Sequence, residues 1–255
     1  MPDGADPHDF APSSRQVATL MDAPVVIANG LGLESGLADA LASSTADGAN
    51  VLEVGPLVDP IPLADHADEH DHGNFDPHVW FDMSRMAQAA TQIGDAIAVS
   101  TGDDAYRTCA AQQAAAITEA EKQVRAILSS VPADRRVIVT DHDALGYLAQ
   151  AYGFRIAGTV VPSSTTLAEP SSADIAALAD QIAREGVGAI FTNVDQPSSL
   201  ADAVAEEAGH DVAVVPLYIE SLGPPGSGAE DYIGMMMEDA QAIAANLGGG
   251  TTWNG

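Results

Sequence analysis

The second half of the chain alternates short apolar runs with longer amphipathic stretches. Four runs are rich in β-branched residues and predict strands: 135–141, 154–161, 187–192 and 212–219. Four stretches carry apolar residues at helical spacing and predict helices: 145–152, 171–185, 198–208 and 231–247. Ser171 with Asp174 predicts a capping box, and Gly186 predicts the end of that helix. The alternation predicts a parallel sheet with helices on both faces.

The first half of the chain has fewer clear elements. Its apolar runs predict two strands, at 24–29 and 51–54. Its amphipathic stretches predict three helices, at 13–22, 35–44 and 83–99. Two strands are few for a stretch of this length, so we expect a first lobe that is incomplete at its N-terminus.

A long helical pattern with few breakers runs from 103 to 130, between the two halves. One stripe of this pattern contains Tyr106, Cys109, Ala110, Ile117, Ala120, Val124, Ile127 and Leu128. We predict that Cys109 is a small core side chain. The helix would be roughly 40 Å long at about 1.5 Å per residue. We therefore predict an α/β fold with two lobes of mainly parallel sheets, joined by one long rigid helix: lobe 1–100, helix 101–131 and lobe 132–255.

The charge of the chain excludes several functions. Nine basic residues against 37 acidic ones give a formal net charge of −28. So few cations argue against nucleic acid as a partner and against a polybasic membrane anchor. The excess of negative charge attracts cations, although adaptation to high salt would produce the same excess. With no run of 18 apolar residues and no visible signal-peptide pattern, we expect no transmembrane segment and no signal peptide in this sequence. Its single cysteine excludes an intrachain disulfide.

Four of the seven histidines lie close together, in the segment 66–78. His66, His70 and His72 are interleaved with carboxylates and predict a loose accessory surface for divalent metal; a solvated loop would look the same. His78 differs, because it follows Asp76 and Pro77 and precedes the aromatic Trp80. The same Asp-Pro-His tripeptide ends at His8. Proline stiffens the backbone before each ring, as suits a metal ligand, although a repeated tripeptide can also be coincidence.

Two further candidate ligands follow predicted strands of the second half. His142 comes after the strand at 135–141, and Glu220 comes after the strand at 212–219. The carboxyl ends of parallel strands share one edge of a sheet, where ligands bind in open α/β folds. A histidine capping the next helix and a carboxylate capping a turn are the alternatives. The spacings between His8, His78, His142 and Glu220 match no local motif, so only the fold could bring them together.

Five stretches of the chain resemble one known family. They contain "GADPHDF", "HGNFDPHVWFDMSRM", "VIVTDHDALGYLAQAYG", "AEPSSADIAALADQIAREGVGAIFTN" and "LYIESLGPPGSG", in that order. In this pattern the chain resembles the zinc- and manganese-binding receptor proteins of bacterial ABC importers. The resemblance covers nearly the whole chain. It departs from the family pattern in two ways: an initial strand and helix are missing, and Glu220 stands where the family usually has aspartate.

The resemblance implies a metal site between two α/β lobes. The ligands would be His8, His78, His142 and Glu220, with zinc favoured over manganese because three imidazoles and a carboxylate suit tetrahedral Zn²⁺. Neighbouring groups that could orient the rings are Asp6, Asp76, Asp141, Asp143 and Trp80.

The resemblance also implies a transport role without catalysis. A monomer outside the cytoplasm would capture the metal and deliver it to an ABC permease with its ATPase. Two alternatives stay open at this point. A zinc-dependent hydrolase could use the three histidines as ligands and Glu220 as a base, although no HExxH motif supports it. A surface adhesin could have the same scaffold.

Overall fold

The computed structural model describes residues 1, 4–63 and 75–248 of the chain. The chain divides into two compact units. Unit 1 comprises residue 1 and residues 7–121, and unit 2 comprises residues 2–6 and 122–255. The boundary falls within one long helix. No helix among the described residues is both long and apolar enough to cross a bilayer.

Unit 1 contains a small parallel sheet and its helices. In chain order the elements are α1 Ser14–Asp22, β1 Val26–Ala28, α2 Ala38–Ala46, β2 Val51–Glu53, α3 Met83–Thr101 and the start of α4 Ala105–Ser129. Three short 3-10 helices lie at Ser35–Leu37, Gly55–Leu57 and Val79–Phe81. β1 pairs with β2 in parallel, with Val26 opposite Val51. The two strands predicted for this half are present, each shorter than its apolar run.

The two longest helices of unit 1 pack closely. Asp82 caps the start of α3 by accepting hydrogen bonds from the backbone of Ser84 and Arg85, and α3 ends at Gly102 with a φ of 74°. A Cβ on Gly94 would lie 2.2 Å from the Cβ of Ala110 in α4. The glycine therefore permits a helix–helix approach that any side chain would block.

The prediction that Cys109 lies in the core is wrong, because the structure exposes it. The buried positions of α4 are Ala110, Ile117, Ala120, Val124 and Leu128. Cys109 precedes the first of these by one residue, which turns its side chain about 100° away from the buried stripe. Tyr106, another member of the predicted stripe, is 43% exposed.

Unit 2 is an open parallel sheet covered by helices. After α4, its elements are β3 Val137–Thr140, α5 Gly146–Tyr152, β4 Arg155–Thr159, α6 Ser172–Glu185, β5 Ala189–Asn193, α7 Ser199–Glu207, β6 Ala213–Leu217 and α8 Tyr232–Asn246. The strand order is β4-β3-β5-β6, and every pair is parallel. The predicted capping box of Ser171 and Asp174 is present at the start of α6, which ends at Gly186.

Both faces of this sheet are buried. Val139 and Ile190 pack in one cluster with Leu178 and Ile182 of α6 and Val204 of α7. Alternate strand residues, such as Ile138 and Phe191, point to the opposite face and are also fully buried. The predicted α/β fold with parallel sheets and covering helices is therefore confirmed. Because all four strands run the same way, the loops after β3 and β6 emerge at one edge.

Candidate metal centre

Unit 1 brings two histidine rings together. The ring centroids of His8 and His78 lie 5.6 Å apart, and both side chains are almost fully buried. Each ring offers a nitrogen, and these nitrogens lie within 4.8 Å of each other. Two imidazoles at this separation are suited to binding one transition-metal ion.

The loop that carries His8 is tied to the start of α2. The carbonyl oxygen of His8 accepts hydrogen bonds from Ser35 Oγ at 2.7 Å and from the Gly36 N–H at 3.2 Å. A Cβ at Gly36 would lie 2.6 Å from the carbonyl oxygen of Phe10. The absence of a side chain at Gly36 therefore allows the His8 loop to lie directly on this backbone.

Asp76 orients the ring of His78. Its Oδ1 accepts the His78 backbone N–H at 2.9 Å and lies 2.8 Å from His78 Nδ1. A carboxylate at Nδ1 favours the tautomer with the proton on Nδ1, which puts the lone pair on Nε2. Trp80 packs edge-on against the same ring, with centroids 5.2 Å apart. Asn29 donates to the carbonyl of Pro77 at 2.9 Å, which fixes the backbone just before the ring.

Replacing Asp76 with asparagine is expected to lower metal affinity about 10- to 100-fold. The amide can place an N–H donor beside Nδ1, which would shift the ring proton to Nε2 and block the ligand lone pair. Competition with a chromophoric chelator measures the change. Asp59→Asn is the control, since Asp59 is exposed with a φ of 56°, a conformation that asparagine tolerates. Equal affinities for both variants would contradict the orienting role of Asp76.

Unit 2 places His142 beside Glu220. His142 follows β3 and Glu220 follows β6, and His142 Nε2 lies 2.9 Å from Glu220 Oε1. Each side chain is only 1% exposed. The parallel sheet thus places an imidazole nitrogen and a carboxylate oxygen at one edge, and both are ordinary ligands of divalent transition metals.

Asp141 fixes His142 as Asp76 fixes His78. Its Oδ1 lies 3.0 Å from His142 Nδ1 and accepts the His142 backbone N–H at 2.8 Å. Its Oδ2 accepts the backbone N–H of Asn193, the last residue of β5, at 2.9 Å. The carboxylate therefore joins the ends of two neighbouring strands while it holds the ring.

The environment of His142 changes its pKa strongly. Burial by itself lowers the pKa of the ring, but hydrogen bonds and negative charge from Asp141 and Glu220 outweigh burial and raise the pKa of His142 to about 10. Without metal, the ring is therefore protonated at neutral pH and lies between two carboxylates. A metal ion that binds Nε2 must displace this proton.

The structure also gives contacts for two other predicted neighbours. Asp6 belongs to unit 2, where its Oδ2 accepts from Thr166 Oγ1 at 2.5 Å and from Gln196 Nε2 at 3.2 Å. Asp143 donates its backbone N–H to the carbonyl of Ser163 at 2.8 Å. The predicted accessory loop, with His66, His70 and His72, lies outside the described residues.

Two asparagines that were not among the predicted site residues support the two rings. Asn29 directly follows β1 and binds the residue before His78, whereas Asn193 ends β5 and binds Asp141. A polar residue at the carboxyl end of a predicted strand was the available signal, because His142 and Glu220 follow β3 and β6 in the same way.

Comparison with known proteins identifies the family. The pattern of the ZnuA family, described as zinc-uptake complex component A, periplasmic, matches residues 1–246. The chain belongs to this family. A manganese-binding lipoprotein, MntA of Halalkalibacterium halodurans, is 30% identical over 249 residues, which are 97% of this chain and 79% of that protein.

A second relative of this ZnuA-family chain has a solved structure. The zinc-binding protein TroA of Treponema pallidum is 31% identical over 253 residues, which cover 96% of this chain and 79% of that protein. The structure described as the periplasmic zinc-binding protein TroA superimposes with a TM-score of 0.83 at 29% identity. It covers 97% of this chain and 89% of the solved chain.

Proposed function

We propose that this ZnuA-family protein captures one divalent transition-metal ion, with zinc preferred, and delivers it to an ABC permease. The ion would bind His8 and His78 of unit 1 together with His142 and Glu220 of unit 2. One observation carries the proposal: each unit holds two buried ligand-type side chains, and in each an aspartate occupies the Nδ1 side of a ring. Buried imidazoles oriented in this way are ready to bind metal through Nε2.

The ligand types favour zinc over manganese. Three imidazole nitrogens and one carboxylate oxygen suit a four-coordinate Zn²⁺ site, whereas Mn²⁺ prefers more oxygen ligands. The family description and TroA point to zinc, and MntA points to manganese. We therefore infer that the protein binds both ions and binds zinc more tightly.

The same ligand set supports transport and not catalysis. A catalytic zinc site usually keeps three protein ligands and an open position for water. Four protein ligands would close a tetrahedral site and leave no position for water or substrate. The family is described as a component of a zinc-uptake complex, and MntA and TroA are described as metal-binding proteins, so we infer that capture and release are the chemistry that the ligands have to perform.

The place of action follows from the same relatives. The family is described as periplasmic, and MntA is a lipoprotein. We infer that this protein acts outside the cytoplasm as a monomer, and that its partners are a cognate permease and the ATPase of that permease. Release would require loss of one ligand pair, because two ligands hold an ion far less tightly than four.

Titration of the metal-free protein tests this function. We expect one tightly bound Zn²⁺ per chain, with Mn²⁺ displaced by equimolar zinc in competition. The His210→Ala variant is the matched control: His210 lies in an exposed turn after α7, with its ring beside the carbonyl of Val187, and its loss should leave tight binding unchanged. Absence of a tight zinc site in the wild type would overturn the proposal.

Zinc binding is expected to release about one proton per ion from His142 between pH 7 and pH 9. The pKa of this ring is about 10 without metal, so below that pH zinc must displace a proton, and the apparent affinity rises up to about tenfold per pH unit. Above pH 10 the ring is already neutral, so the dependence flattens. Calorimetry in buffers of different ionisation enthalpy counts the protons. Zero proton release at pH 8 would contradict this assignment.

A further inference from the structure

A buried carboxyl group lies in the last helix of unit 2, beneath the loop that carries Glu220. Asp239 belongs to α8, which packs against β6, and the residue is only 2% exposed. Its Oδ1 accepts the backbone N–H of Tyr218 at 2.9 Å. Its Oδ2 has no hydrogen-bond partner among the described residues. The site described above does not use this residue.

Keeping an acid at this position is unfavourable for the fold. Burial, with a smaller contribution from the charge of Glu238, raises the pKa of Asp239 to about 7, and the bond from Tyr218 opposes the rise only in part. An apolar residue would avoid this desolvation, and the neighbouring buried positions of α8, Met235, Met236 and Ile243, are apolar. Within the described part of the chain, the Asp239 side chain forms one hydrogen bond, to the backbone N–H of Tyr218.

The bond to Tyr218 acts where the sheet ends. β6 stops at Leu217, whose carbonyl oxygen accepts N–H groups from Val194 at 2.9 Å and from Ile219 at 3.0 Å. The bond from Val194 holds the chain from the side of β5, and the bond from Ile219 forms a local turn. In the sheet formed by the described residues, β6 is an edge strand with no further strand beside it. Asp239 accepts the Tyr218 N–H from the side of α8.

We propose that Asp239 is a positioning residue that fixes the backbone at Tyr218 and thereby holds the Glu220 carboxylate against His142. Glu220 lies two residues beyond the anchored amide, after the buried Ile219. A shift of the Tyr218 backbone would move the carboxylate, which lies 2.9 Å from His142 Nε2. This inference rests on the proposed function, because it assigns Asp239 a part in metal affinity.

Three variants separate positioning from general stability. Asp239→Asn keeps an acceptor oxygen for Tyr218 and should bind zinc within about twofold of wild type. Asp239→Leu keeps the number and branching of side-chain heavy atoms, removes the acceptor and adds some bulk; it should lose affinity about 10-fold or more, the range for loss of groups that orient ligands. Ile243→Ala, one helical turn further along α8, should lower the melting temperature but keep affinity within about twofold.

Zinc affinity is measured by chelator competition, together with the visible absorption of Co²⁺ bound in place of zinc. The leucine variant should change the Co²⁺ spectrum, and the asparagine variant should restore the wild-type spectrum. If the leucine variant does not fold, Asp239→Ala removes the same acceptor with less bulk. The inference alone is overturned if the variant without an acceptor binds zinc with wild-type affinity. It is also overturned if Ile243→Ala loses as much zinc affinity as that variant. A wild type without a tight zinc site overturns the proposed function, and the inference falls with it.

Discussion

Replacing Glu220 with alanine is expected to lower zinc affinity by more than about 100-fold and to leave the fold intact. Glu220 supplies the only oxygen ligand of the proposed site, and its side chain is 1% exposed beside His142. The loss of a direct ligand should exceed the 10- to 100-fold cost of losing a group that only orients one. Chelator competition measures the affinity, and circular dichroism checks the fold.

Two variants control this experiment. Glu207→Ala removes an exposed carboxylate at the end of α7 and should not change affinity, although the net charge changes equally. Glu220→Asp keeps a carboxylate on a shorter side chain and should lose less affinity than Glu220→Ala. A Glu220→Ala protein that still held zinc tightly would favour a three-histidine site with an open position, as in an enzyme.

The melting temperature of the metal-free protein is expected to rise by about 10 °C or more when KCl is raised from 0.1 M to 2 M. Carboxylates outnumber basic groups by 37 to nine, so the folded chain repels itself. The screening length falls from about 10 Å at 0.1 M to about 3 Å at 1 M salt. A shift of this size corresponds to roughly 3 kcal/mol for a domain of this length.

A charge variant distinguishes screening from other effects of salt. Glu206 and Glu207 are exposed at the end of α7, where the helix dipole is also negative. Replacing both with glutamine should raise the melting temperature in low salt and reduce its salt dependence. Calorimetry in potassium chloride and in tetramethylammonium chloride of equal ionic strength should give similar slopes. A melting temperature that stays flat or falls with salt would contradict the repulsion.

Local signals in the sequence predicted most of unit 2. Both ends of α6 were predictable, because the residues that start and end it, the capping box and the terminal glycine, are at the helix ends themselves. The position of His142 beside Glu220 followed from the direction of the strands, since every parallel strand ends at the same edge. These predictions needed only chain direction and neighbouring residues, and no long-range packing.

Packing decided what sequence analysis missed. Cys109 fits the helical spacing of a broad apolar stripe on α4. However, α3 approaches α4 at Gly94 on the side that carries Ala110, and that side is the buried one. Asp239 occupies a buried position in an otherwise apolar stripe of α8, and nothing local shows that its partner is a backbone amide at position 218. Burial and long-range backbone bonds of this kind depend on the assembled tertiary structure.

The exposed side chain of Cys109 has a practical consequence. It is the only thiol in the chain and lies on the solvent side of α4 within unit 1. A maleimide dye or nitroxide can therefore be attached at one defined position without engineering. Lys122, the only lysine, is the first residue of unit 2 within the same helix and offers an amine for a second, chemically distinct label. The sequence thus offers two attachment sites of different chemistry, a thiol and an amine, for spectroscopic labels that follow metal loading.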